Sequence, residues 1–110
     1  MMKVVTLADR KHARVEEIRA GYACLRADLA RFARAHGGRF WVYGSAVSGR
    51  FHAESDIDII LDFEDAQTGE AFDMVEAACA RLRLKADIQP KAWCKDQFLE
   101  KIHATALQLP

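Results

Sequence analysis

One stretch constrains this chain more than any other. In the run Asp56–Phe63, the residues Ile57, Ile59, Leu61 and Phe63 alternate with Asp56, Asp58, Ile60 and Asp62. Successive side chains of a strand point to opposite faces, so the run predicts a β-strand with an apolar face in a core. Its other face would carry a row of aspartates. Asp56 and Asp58 would project in parallel, roughly 6–7 Å apart at their Cα atoms. Like charges held side by side repel unless a cation neutralises them. A chain built around this strand therefore needs a sheet, a layer against the apolar face, and something for the acids to bind.

The flanking segments supply those parts. From Thr6 to His36, the residues Val15, Ile18, Tyr22, Leu25, Leu29 and Phe32 recur at steps of three and four, the stripe of an amphipathic helix. Thr6 with Asp9 resembles a capping box, and Gly37-Gly38 is a stop signal. The stripe suits a core facing a sheet, and its spacing would also suit a partner helix. Arg39–Tyr43 carries the β-formers Phe40, Trp41 and Val42 and ends at Gly44-Ser45. Ser45–Glu54 is turn-rich. A second helix is expected from Thr68, as N-cap, to about Leu84, through Phe72, Val75, Cys79 and Leu82. Lys85–Gln89 alternates again, with Ala86 and Ile88 inward, Asp87 on the opposite face and Pro90 closing it. A last helix is expected over Ala92–Leu109. The order of helix, strand, turn, strand, helix, strand, helix points to one small α/β or α+β domain over residues 1–110.

Charge narrows the function classes. With 16 basic and 16 acidic residues the net charge is zero, which argues against a non-specific DNA binder. The sum hides a split. Ten basic residues face four acids up to Ala53, and six face twelve from Glu54 onward, with no Lys or Arg between Arg50 and Arg81. Cys24, Cys79 and Cys94 are odd in number and lack zinc-ligand spacing, so they read as reduced thiols. No apolar run is long enough for a membrane span, and Met1–Arg10 holds no apolar leader segment, so a cytoplasmic protein is expected.

Three features are expected to line up as a site. Gly44 ends one strand, where the missing Cβ lets backbone approach a bulky anion. Ser45 adds a hydroxyl, and a short helix starting there would aim N–H groups at a phosphate. Asp56 and Asp58 lie on the next strand, and Asp87 has the parity to face the same way from a third. Mg²⁺ prefers a few carboxylate oxygens plus waters and substrate phosphates. Two such ions, about 4 Å apart, stabilise the entering and leaving oxygens of an in-line phosphoryl displacement. Each part alone is ordinary: a Gly-Ser pair is usually a turn, and an Asp-x-Asp often a solvated edge. Their joint occurrence on successive strands is what carries weight.

Gly44-Ser45, ten intervening residues, then Asp56-Ile57-Asp58 resembles the signature of the polymerase-beta-like nucleotidyltransferase superfamily. The longer string Tyr43-Gly44-Ser45-Ala46-Val47-Ser48-Gly49 with Ser55-Asp56-Ile57-Asp58-Ile59 is similar in particular to the minimal nucleotidyltransferases. The resemblance implies an α+β fold, a small mixed sheet flanked by helices, with a long N-terminal helix. It implies that Gly44 and Ser45 bind a nucleotide triphosphate, that Asp56 and Asp58 hold two Mg²⁺ ions, and that Asp87 binds metal and activates the acceptor hydroxyl. Many minimal members carry an arginine where this chain has Ser48; Arg50 is the residue that would supply a similar charge.

Minimal nucleotidyltransferases often accompany a helical HEPN-family protein in what resembles a toxin–antitoxin pair. The expected function is accordingly a Mg²⁺-dependent adenylyltransferase that moves AMP from ATP to a hydroxyl of a partner protein. That partner would be a HEPN RNase toxin, held in a hetero-oligomer. Small-molecule adenylyltransferases normally add a domain that shapes an acceptor pocket, for which 110 residues leave little chain. Two alternatives stand beside this expectation: an antitoxin that neutralises by binding alone, and a small-molecule transferase that shares its pocket across a dimer.

Overall fold

The computed structural model describes residues 4–110. Met1, Met2 and Lys3, the start of the stretch read above for leader character, lie outside them. Helix α1 (Leu7–His36) starts as the sequence indicates. The Thr6 hydroxyl accepts from the Asp9 amide at 3.1 Å, while the Asp9 carboxylate accepts from the Thr6 amide at 3.1 Å. The helix stops at Gly37, whose φ of 71° is left-handed, a conformation that costs glycine little.

The remaining elements are β1 (Arg39–Tyr43), the one-turn helix α2 (Ser45–Ser48), β2 (Asp56–Asp62), α3 (Asp65–Leu82), β3 (Lys85–Pro90), a 3₁₀ turn (Lys91–Trp93), α4 (Asp96–His103) and β4 (Leu107–Leu109). They form one mixed sheet in the order β3-β2-β1-β4. β1 runs antiparallel to both β2 and β4, and β2 runs parallel to β3. A parallel pair needs a crossover, which α3 provides.

Helices α1 and α3 cover one face of the sheet. Ile18, Leu25 and Leu29 of α1, Phe40 and Val42 of β1, Ile57, Ile59 and Leu61 of β2, and Val75 of α3 are all buried in one cluster. The helical stripe and the alternation on β2 thus meet in the same core. The opposite face is partly covered by α4, whose Phe98 ring meets Tyr43 edge-on at 5.5 Å and whose His103 lies 4.6 Å from Trp41. Ile60, on that opposite face, is fully buried.

Two expectations are corrected. α3 begins at Asp65, not after Thr68: Glu64 is the N-cap, and the Thr68 hydroxyl donates to the Glu64 carbonyl at 3.0 Å within the first turn. The continuous helix expected over Ala92–Leu109 is instead the 3₁₀ turn, α4 and the strand β4. Leu107 and Leu109 fit a period of two as well as a helical stripe, and pairing with Val42 and Phe40 at the edge of β1 decides it. All three cysteines are free, and burial pushes the Cys79 thiol up to about 11. No described helix is long and apolar enough to cross a membrane.

Candidate active site

The strand register sets three residues in a row across the face opposite the main core. Tyr43 on β1 pairs with Asp58 on β2, and Asp58 pairs with Asp87 on β3. Residues paired across neighbouring strands share a face. Asp56, two positions earlier on β2, lies on the same face and pairs with Lys85. Asp56 and Asp87 are exposed and Asp58 is half-buried. The sequence-derived parity of Asp56, Asp58 and Asp87 is therefore what the sheet displays.

Gly44 completes the row. Its backbone (φ 76°, ψ −145°) lies in a region essentially reserved for glycine. A Cβ there would sit 2.5 Å from Oδ2 of Asp58. So the chain turns at Gly44 with its backbone against the Asp58 carboxylate, and no other residue type leaves room. The one-turn helix α2 follows. The Gly44 carbonyl accepts from the amides of Val47 at 3.1 Å and Ser48 at 3.3 Å, and no side chain caps the helix. Ser45 opens this turn, next in the chain to the Gly44 backbone that abuts Asp58. The Ser48 hydroxyl is occupied locally, donating to the Ser45 carbonyl at 3.2 Å. Arg50 is exposed in the following loop and makes no hydrogen bond or ion pair to the aspartates.

The electrostatics separate these aspartates from their neighbour Asp62, which also faces this side. Asp62 is neutralised: Lys91 lies at 3.5 Å, Arg39 at 3.9 Å, and the Trp41 indole N–H donates to it at 3.2 Å. Among the described residues, Asp56, Asp58 and Asp87 have no cation within ion-pair distance and no hydrogen-bond donor. Burial, then Asp87, then Asp56 push the Asp58 carboxyl above the ordinary aspartate value. The Tyr43 hydroxyl is pushed up to about 12, first by burial and then by Asp58, Asp87 and Cys94. Tyr43 therefore stays protonated beside the carboxylates. In sequence Tyr43 stands at the end of a strand and at the head of the motif string with no role of its own; the pairing of β1 with β2 is what sets it beside Asp58.

Bare carboxylates on an open face fit a cation better than they fit one another. No three His, Cys, Asp or Glu side chains among the described residues close into a ready-made cage. Mg²⁺ does not require one, because it retains waters and takes further oxygens from phosphates. Asp56, Asp58 and Asp87 are the residues that could hold it here.

Comparison with known proteins adds the family. The model of the nucleotidyltransferase domain matches residues 25–107. The chain belongs to this nucleotidyltransferase domain family. The match spans β1, α2, β2 and β3, and so includes Gly44, Ser45, Asp56, Asp58 and Asp87. A solved structure described as a "putative minimal nucleotidyltransferase" superposes with a TM-score of 0.62 at 22% identity, covering 84% of this chain and 93% of that one. That likeness shows the fold: this nucleotidyltransferase domain has the α+β, polymerase-beta-like architecture, with a long N-terminal helix and a small mixed sheet. No curated protein matches the sequence.

Proposed function

We propose that this nucleotidyltransferase domain transfers AMP from ATP to a hydroxyl of a partner protein, in the cytoplasm, with Mg²⁺ as cofactor. The partner we propose is a HEPN RNase toxin, silenced by the transfer within a hetero-oligomer. The observation that carries the site is the contrast on one face: Asp62 is held by Lys91 and Arg39, while Asp56, Asp58 and Asp87 have no counter-charge among the described residues. The family membership supports the reaction class.

Asp56 and Asp58 would hold two Mg²⁺ ions, with Asp87 as a further ligand. When bound, the metal supplies positive charge to the triphosphate and to the oxygens that enter and leave. The glycine turn at Gly44 lets the triphosphate approach backbone, and Ser45 offers it a hydroxyl and the start of α2. Asp87 accepts the proton of the attacking hydroxyl. The acceptor oxygen then bonds to the α-phosphorus, the bond to the bridging oxygen breaks, and pyrophosphate leaves. Arg50, exposed in the loop after α2, would supply a positive charge to a bound phosphate. A protein acceptor is favoured by exposure, since Asp56 and Asp87 lie open to solvent and not in an enclosed small-molecule pocket.

The experiment is incubation of the chain with α-labelled ATP, GTP, CTP and UTP, Mg²⁺ and the product of the neighbouring gene. Label is expected on the partner from ATP. Asp58→Asn is expected to cut incorporation by about a hundredfold or more, since metal-held charge contributes several kcal/mol at the transition state. Full neutralisation of the partner by that variant would instead mean that binding suffices.

A further inference from the structure

A second feature lies at the margin of the aspartate face. A groove of about 380 Å³ runs between the N-terminal half of α1 and the loop before β2, lined by Leu7, Arg10, Lys11, Arg14, Glu54 and Lys85, among others. Four cations face one acid there. Glu54 engages Lys85 at 3.6 Å, and Arg14 is taken up by Glu17 at 3.1 Å and by the Arg83 carbonyl at 2.5 Å. Arg10 and Lys11 have no acidic partner among the described residues. The groove adjoins the site through the chain itself: Ser55, another lining residue, precedes Asp56, and Lys85 pairs with Asp56 in the sheet.

We propose that this groove binds an acidic segment of the acceptor protein that also carries aliphatic side chains. The proposal rests on the reading that the acceptor is a protein and names the chemistry of its docking segment. Charge complementarity calls for an anion, and the apolar neighbours decide which kind. Leu7 lines the groove and is 68% exposed, and Val4 and Val5 just before it are 82% and 56% exposed. Carboxylate-bearing polypeptide with leucines or valines satisfies both sets of groups. A polyphosphate chain offers nothing to the three aliphatics, and no aromatic ring lines the groove for a base to stack on. The cations also offset a repulsion. The bare aspartates oppose the approach of an acidic protein, and a basic groove at their edge steers such a partner in while presenting its hydroxyl nearby.

The test is fluorescence anisotropy of the intact chain with three labelled probes. These are a dodecapeptide repeating glutamate-glutamate-leucine, its lysine-lysine-leucine counterpart, and a twelve-nucleotide oligouridylate. The acidic peptide is expected to bind at least about tenfold tighter than either other probe, with affinity falling as salt rises. Arg10→Glu with Lys11→Glu is expected to weaken it by about tenfold or more, and Leu7→Ser by several-fold. These exposed side chains lie outside the core, so unchanged thermal unfolding will confirm that the variants fold. Oligouridylate binding as tight as the peptide, no detectable peptide binding, or peptide binding untouched by the double reversal overturns the proposal. Asp58→Asn separates the two readings: it is expected to abolish incorporation while leaving peptide binding intact.

Discussion

At the scale of single residues, Gly44 and Asp58 act as one unit. The carboxylate occupies the space where any other residue at position 44 would place its Cβ, and the backbone there has a positive φ of 76°. Gly44→Ala is therefore expected to cost about 1–3 kcal/mol of stability from backbone strain and to push Asp58 out of line. Thermal unfolding and nucleotide incorporation, measured on the same preparation, should both fall. Asp58 itself carries a stability cost in the metal-free protein. Its folded-state pKa is raised by burial and by Asp87 and Asp56, so its contribution is most favourable below the unfolded value of 3.8 and is lost as pH rises through the folded value. At neutral pH the ionised carboxylate is thus destabilising. Asp58→Asn should raise the Tm of the metal-free protein at pH 7, and the gain should disappear as the pH falls below 3.8. An unchanged Tm at pH 7 would show that the three acids do not strain the fold.

At the scale of elements, the loop between α2 and β2 is held from both sides. The Phe51 ring packs 5.6 Å from Tyr22 of α1, with the Arg19 guanidinium 5.6 Å away on Phe51. The Ser55 hydroxyl accepts from the His52 amide at 2.7 Å, and the Ser55 amide donates to the His52 carbonyl at 2.9 Å. This loop connects the Gly44 turn to Asp56 and Asp58. Phe51→Ala is expected to raise KM for the nucleotide several-fold with a smaller change in kcat, because it loosens placement while leaving the carboxylates in place. Leu25→Ala, in the fully buried seam of α1, should cost about 2–5 kcal/mol in urea unfolding. The elements that sequence made legible are those with a sustained period. The stripe from Ile18 to Leu29 and the alternation Ile57–Leu61 settle their own buried faces, and the parity of Asp58 and Asp87 follows from the latter kind of pattern. The three-residue strand β4 was not legible, since Leu107 and Leu109 are too few to fix a period and only the edge of β1 makes them a strand. The start of α3 was hidden because Thr68 is a good capping residue in sequence, yet its hydroxyl serves the first turn from inside. The groove beside the site escaped for another reason: Lys85 lies 74 positions beyond Lys11, and only the fold brings α1 to the start of β3.

At the scale of the whole molecule, the balanced composition resolves into a basic α1 layer and a sheet whose far face presents Asp56, Asp58 and Asp87, unpaired among the described residues, beside the paired Asp62. On that face, binding a cation at Asp56, Asp58 and Asp87 removes repulsion and breaks no ion pair among the described residues. Mg²⁺ with nucleotide should therefore stabilise the entire fold by linkage, by about 2.7 kcal/mol when free ligand is a hundred times Kd. The account turns on whether Asp56, Asp58 and Asp87 form a metal-dependent nucleotide site, and calorimetric titration with a non-hydrolysable ATP analogue measures this most directly. Binding to the wild-type chain is predicted in the presence of Mg²⁺, to be lost with EDTA, and to be lost in Asp56→Asn with Asp58→Asn. Equal affinity with and without Mg²⁺, or equal affinity in the double variant, would contradict it.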